Sequence, residues 1–299
     1  MEKQRGYPLS QTNVHNLYSA MDTQDNKIQC SVGILTYNSE KTLHRTLESI
    51  KDFSNIIISD GGSTDDTLAI AKEYGCIVIE QYAKQHPGTD PSHPIANFAR
   101  ERNLMILQAT ENWFFWLDSD EYISTELHAE ISEVCTQEIP EFYAYYIPIV
   151  HQSPDAQVTY RSWKQVHQIR FFNLTTGGRF ERKIHEMFVF DKQKYPVGML
   201  NGAWFVPISK INFPEYKKAV NYRLGIMFLD SVLDSPRMYV LKALYRPLKG
   251  TVGILYREMR LRLRYSGKEL IPLRYTRNRL YSQWVTFKIV TQLYFSKGK

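Results

Sequence analysis

Five consecutive large apolar residues, Trp113-Phe114-Phe115-Trp116-Leu117, run directly into Asp118-Ser119-Asp120. A stretch this short and this apolar suits a strand covered on both faces, so the chain has to build a sheet with layers on either side. That inner strand then ends in two carboxylates. A hard divalent cation set against a phosphate is the chemistry such a pair suits.

Two earlier runs end in the same way. Cys30 to Leu35 stops at Thr36-Tyr37-Asn38-Ser39, and Asn55 to Ser59 stops at Asp60-Gly61-Gly62-Ser63. Ser39 with Leu43 and Leu47 marks a helix start, Thr64 to Tyr74 reads as a second helix closed by a left-handed Gly75, and Cys76 to Glu80 as a third strand. Repeated β–α units of this length predict an α/β fold with a mainly parallel central sheet flanked by helices. Ligands of such sheets bind beyond the carboxyl ends of the strands, where all these polar turns fall.

Further along, residues 82 to 96 are polar and broken by Pro and Gly, a loop expected to lie over the site. Helices are expected over Asn97–Ala109 and Glu126–Val134. Phe142–Val150 and Val166–Phe172 read as strands around a hairpin-like excursion with Trp163 packed on it, and Phe188-Val189-Phe190 as a short edge element. Beyond Pro207 the pattern is helical: Tyr216–Asp234, Arg237–Leu244, Val252–Arg264, and an aromatic helix after Pro272. The division expected is a flexible arm at 1–27, an α/β catalytic domain at 28–210 and a basic amphipathic helical extension at 211–299.

Length and composition set the class. At 299 residues, 43% hydrophobic, with 20 Tyr and 15 Phe, the chain can bury a large core. From Arg237 to Lys299 there are 15 Lys and Arg against two acids, +13 out of a total of +6, leaving −7 for everything before. The basic end therefore faces a polyanion: anionic lipid, a sugar-phosphate polymer or nucleic acid by charge alone. Its null alternatives are a solvated helix face or a contact between copies in a homo-oligomer. Cys30, Cys76 and Cys135 have neither CxxC spacing nor a His cluster nearby, as in a reducing, cytoplasmic setting. With no signal-like or membrane-spanning run, any membrane contact is expected to be peripheral.

The residues suggest roles one by one. Asp118 and Asp120, with Ser119 between them, are candidates for holding a cation and a diphosphate. Asp60 is a candidate for a nucleobase or ribose contact, and Asp65 is either that or a helix cap. Arg102 lies where a guanidinium reaches a pyrophosphate or else pairs with Glu101 or Glu111. Glu186 is a candidate general base, and His185 orients it, binds metal or is a core histidine. Neither a GxGxxG nor a GxxxxGK phosphate loop is present, which favours a cation over a backbone cradle.

Val32-Gly33-Ile34-Leu35-Thr36-Tyr37-Asn38, Ile58-Ser59-Asp60-Gly61-Gly62-Ser63-Thr64-Asp65 and Leu117-Asp118-Ser119-Asp120-Glu121 together resemble the family 2 glycosyltransferases of the GT-A nucleotide-diphospho-sugar transferase fold. Arg100-Glu101-Arg102-Asn103, Arg170-Phe171-Phe172 and Gly178 to Phe180 leading to His185-Glu186 resemble the subgroup of lipopolysaccharide core β-glucosyltransferases and bacteriocin glycosyltransferases. The resemblance implies that Thr36, Tyr37 and Glu40 line a nucleoside pocket and that Asp60 recognises the base. It implies that Asp118 and Asp120 hold ribose, Mn or Mg and diphosphate, and that Glu186 is the base. It further implies an inverting transfer from a nucleotide-diphospho-sugar, UDP-linked in the first instance, to a glycan or glycolipid hydroxyl, with no nucleic acid partner. Leu35 stands where the family has a proline, and no histidine follows the last core strand near Pro207. A peptide acceptor, a sugar-nucleotide pyrophosphorylase and a nonenzymatic polyanion-binding module are the alternatives.

Overall fold

The computed structural model describes residues 27–81, 97–162, 165–183, 186–208, 213–231 and 237–296. The arm at 1–26, the loop at 82–96, Trp163, His185 and the expected helix end at Asp234 lie outside these.

The chain opens with β1 (Ile28–Thr36), α1 (Glu40–Glu48), β2 (Phe53–Asp60), α2 (Thr67–Glu73) and β3 (Ile77–Glu80). Then come α3 (Phe98–Ile106), β4 (Trp113–Asp118), β5 (Tyr122–Ile123) and α4 (Thr125–Cys135). Asn97 and Ser124 cap α3 and α4 through side-chain oxygens that accept from Arg100 N and Leu127 N. Gly75 takes φ +67 after α2, the left-handed ending expected of it.

β1 lies between β2 and β4, parallel to both, and β2 is parallel to β3. The expectation of a mainly parallel sheet needs correction beyond β4. There β7 (Val166–Asn173) runs antiparallel to β4 and to β6 (Ala144–Gln152), so the sheet is mixed, in the order β3-β2-β1-β4-β7-β6-β11-β5. The excursion from 153 to 165 returns the chain beside the strand it has just left, which makes the pair antiparallel. Four short strands escaped the sequence pattern. They are β5, β8 (Arg179–Glu181), β10 (Val197–Met199) and β11 (Trp204–Pro207), too short to show a period. β8 and β9 (Met187–Val189) form a separate two-stranded sheet, and β9 is the expected edge element.

β4 shows why its run is apolar throughout. Trp113, Phe115 and Leu117 pack on one face with Leu43 and Leu47 of α1 and Leu127 and Ile131 of α4. Phe114 and Trp116 pack on the other with Met105 of α3, Phe172, Phe180 and Phe188. The alternation leaves neither side to water.

α5 (Phe213–Ser231), α6 (Arg237–Arg264) and α7 (Leu273–Ser296) follow. Two helices were expected where α6 runs unbroken through Pro247. Packing along α7 overrides the local break: a Cβ on Gly250 would meet Gln283 Oε1 at 2.3 Å, and Ile254 of α6 is buried along with Val285 and Val290 of α7. Arg161 N donates to Glu269 O, and Tyr275 hydroxyl donates to Ile208 O, tying the α6–α7 turn and α7 to the sheet's far end.

The approach to β11 depends on one close contact. Asn201 N and Gly202 N donate to Glu130 of α4, and a Cβ on Gly202 would sit 2.2 Å from Leu127 N. Gly202→Ala is therefore expected to cost about 1–3 kcal/mol, read as a lower urea midpoint with an unchanged slope.

Candidate active site

Strand register brings the polar turns together. Thr36 lies opposite Asp60, and Leu35 opposite Asp118, so the ends of β2, β1 and β4 share one edge of the sheet. At that edge Asp60 is 3% exposed and its carboxylate accepts four hydrogen bonds: from Thr36 Oγ1 (2.9 Å), Gly62 N (2.8 Å), Ser63 N (2.8 Å) and Ser63 Oγ (2.6 Å). The carboxylate expected to meet a nucleobase or ribose thus also closes its own turn.

The β1 turn is locked to the β2 turn. Asn38 adopts φ 48, its N–H donates to Ser63 Oγ and its Oδ1 accepts from Thr64 N. An Asn side chain that makes such local bonds offsets the left-handed backbone. Asp65 accepts from Glu40 N and Thr67 N, joining the starts of α1 and α2 as a cap. Glu40 Oε2 accepts from Asp66 N, while Tyr37 stays 40% exposed at the rim.

The third turn joins through hydroxyls. Ser39 Oγ and Ser119 Oγ lie 2.8 Å apart, and Thr46 Oγ1 donates to Ser119 O. Arg45 donates to Asp120 O and Pro154 O while lying over the Tyr122 ring.

Arg102 is buried and pairs with neither Glu101 nor Glu111, one of the two alternatives raised for it. Arg102 is 1% exposed, with Nη2 donating to Asp118 Oδ1 and Nε donating to Glu186 Oε1, each at 2.7 Å. Glu101 instead lies 3.6 Å from Arg100. One buried cation thereby brings together the carboxylates at the end of β4 and just before β9.

Beside it lies a cluster that the sequence reading assigned no role. Arg170, on β7, is buried and lies 3.2 Å from Glu121. The Arg102 and Arg170 guanidinium carbons are 3.7 and 3.4 Å from the Trp116 ring centroid, distances that require opposite faces of one indole, and Arg170 is also 3.7 Å from the Trp204 centroid. Desolvated cation–π contacts of this kind are worth about 2 kcal/mol each. The available signal was a lone arginine in the apolar run Ile169-Arg170-Phe171-Phe172 and a lone acid after the β4 turn. Neither residue names its partner.

Electrostatics sharpen the picture. Burial, then the charge of Asp118, pushes the Asp120 carboxyl up to about 6. Burial also raises Glu121 and lowers Arg170, each held back by the other. Among the described residues no group of three His, Cys, Asp or Glu side chains could hold a metal ion, so the acidic pair is no self-sufficient metal cage. Its chemistry still fits a divalent cation that draws further oxygen ligands from a diphosphate and water: two hard carboxylates, one of them with its negative charge poorly compensated.

Sequence comparison adds relatives. The chain is 30% identical over 155 residues to the SPbeta prophage-derived glycosyltransferase SunS of Bacillus subtilis (strain 168), covering 52% of this chain and 33% of SunS. It is 27% identical over 111 residues to the lipopolysaccharide core biosynthesis glycosyltransferase LpsC of Rhizobium meliloti (strain 1021), covering 36% and 37%. The chain thus spans only about a third of the length of these relatives. A crystal structure of S. aureus TarS 1-349 with UDP-GlcNAc aligns over 88% of this chain and 92% of that one, at 15% identity and a TM-score of 0.44. The family model described as Glycosyl transferase family 2 matches residues 31–188, from the first buried strand through all three polar turns to Phe188 beyond Glu186, and the chain belongs to that family.

Proposed function

We propose that the chain transfers a sugar from a nucleotide-diphospho-sugar, UDP-linked in the first instance, to a hydroxyl of a lipid-linked or surface glycan, with inversion. The observation that carries this reading is Arg102, whose two 2.7 Å bonds put Asp118 and Glu186 on a single guanidinium. A transferase needs a negative group on the diphosphate side to hold its counter-ion, and a second one to take a proton on the acceptor side. Fixing both from one rigid donor fork sets their separation before substrate arrives.

In this scheme Thr36, Tyr37, Glu40 and Asp60 border the nucleoside, and Asp118, Ser119 and Asp120 face the diphosphate. Mn or Mg held by Asp118 and Asp120 would neutralise the diphosphate. The acceptor oxygen forms a bond to the anomeric carbon as the bond from that carbon to the diphosphate oxygen breaks. Glu186 takes the acceptor's proton, and Arg102 keeps its carboxylate aimed. No covalent enzyme intermediate is required. His185 remains a proposed metal or orienting residue.

Three variants test the assignment. Asp120→Asn is expected to lower UDP release from UDP-sugars by about a hundredfold or more and to remove its stimulation by Mn, measured with and without a chelator. Failure of the unaltered protein to bind or turn over any UDP-, GDP- or TDP-sugar, with or without Mn, would overturn the transferase reading. Glu186→Gln should keep donor affinity while transfer drops by about 10²–10⁴, and near-normal transfer would remove Glu186 from the role. Arg102→Lys keeps the charge but cannot span both carboxylates, so kcat should fall more than donor KM changes. Its thermal unfolding temperature should fall too, because a buried carboxylate loses its partner.

A further inference from the structure

α6 has two apolar faces, and among the described residues only one of them packs inside the molecule. Ile254 is buried, Gly250 is pressed against Gln283, and Glu258 accepts from Thr276 Oγ1, so this side packs on α7. On the opposite side Tyr245, Leu248, Val252, Leu255, Met259 and Leu263 are between 51% and 78% exposed. At the helical step of 100° per residue they fall within an arc of about 80°, centred about 140° around the helix from Ile254. Scattered surface leucines need no explanation, but an unbroken stripe along a 28-residue helix does.

Charge identifies what covers it. Arg246, Lys249, Arg257, Arg260 and Arg264 are exposed along one flank of the stripe. Glu258, the single acid of α6, is engaged by Arg262 and Thr276. Between Arg237 and Ser296 thirteen Lys and Arg stand against two acids. A second copy of the chain laid on this stripe would bring the same positive field against itself, whereas an anionic surface would draw it in. Among the described residues no helix is long and apolar enough to cross a membrane. A helix with one apolar stripe and a cationic flank lies in the interface instead.

We propose that the outward stripe of α6 docks the protein on an anionic lipid bilayer, its apolar side chains entering the acyl boundary and its arginines and lysines meeting the headgroups. α7 contributes in kind, with Trp284, Phe287 and Phe295 exposed within an arc of their own. Such docking would bring a lipid-carried acceptor to the enzyme by confining both to one surface. The surface is argued from α6 and its charges, so vesicle binding and sugar-nucleotide turnover stand or fall separately.

The test is co-sedimentation of the full chain with vesicles of phosphatidylcholine alone or with a third phosphatidylglycerol. The intact protein should bind the anionic vesicles at low salt at least about tenfold more tightly than the neutral ones. The triple variant L248Q/L255Q/L263Q should lose at least about tenfold of that affinity while its unfolding temperature and its release of UDP in solution stay unchanged. L263Q alone, at the position 78% exposed, serves as a second variant with minimal demand on folding and should show a smaller loss of the same sign. Absence of binding to anionic vesicles would overturn the proposal. So would binding that salt abolishes but the glutamines leave untouched, since charge alone would then hold the protein. A dimer in light scattering that the triple variant turns into a monomer would assign the stripe to a second copy instead.

Discussion

A guanidinium taken out of water is destabilising unless its charge and its N–H groups are met, and two such groups lie beside each other under this sheet edge. Arg102 is neutralised by Asp118 and Glu186, Arg170 by Glu121, and the Trp116 indole separates the two cations. Removing either guanidinium would strand a buried carboxylate, Glu186 or Glu121, at a cost of about 3–5 kcal/mol, far more than the median surface ion pair contributes. The cluster therefore holds α3, β4, β7 and the approach to β9 in one arrangement. The candidate catalytic carboxylates take their positions from it.

Register does the rest. Because β1 is parallel to its neighbours on both sides, three chain segments far apart in sequence reach the same edge travelling the same way. Their turns are then joined by short polar side chains: Asn38 to Ser63 and Thr64, Ser39 to Ser119, Thr46 to the Ser119 carbonyl. These serines and threonines look like ordinary turn formers in the sequence. Their hydroxyls and amides instead cross to a neighbouring turn, and Ser63 donates to Asp60 as well.

What could be read beforehand follows from how local each signal is. The β4 run, the Gly75 ending and the helices opened by Asn97 and Ser124 are stated by adjacent residues, and they formed within a few positions of the expected bounds. The hairpin-like excursion announced the antiparallel β6–β7 pair, but the antiparallel seating of β7 on β4 was not legible, because strand direction in the sheet depends on where a connection returns rather than on what a strand contains. Two- to four-residue strands such as β5, β10 and β11 carry no periodicity. Pairings were hidden for the same reason: Arg102 offered two acidic residues nearby in sequence, yet its partners lie 16 and 84 positions away. The break expected near Pro247 vanished because α7 supplies packing that the local sequence cannot announce.

The saturation of Asp60 has a consequence for selectivity. With three donors from its own turn and a fourth from Thr36 already in place, that carboxylate is a fixed negative group rather than an adaptable hydrogen-bonding one. If the nucleobase lies against it as proposed, a ring whose leading edge carries a hydrogen would be favoured. One that presents lone pairs would meet repulsion from a group unable to rotate away without dismantling the turn. The rigidity of a single tight bend can thus sort aromatic rings by the polarity of one edge.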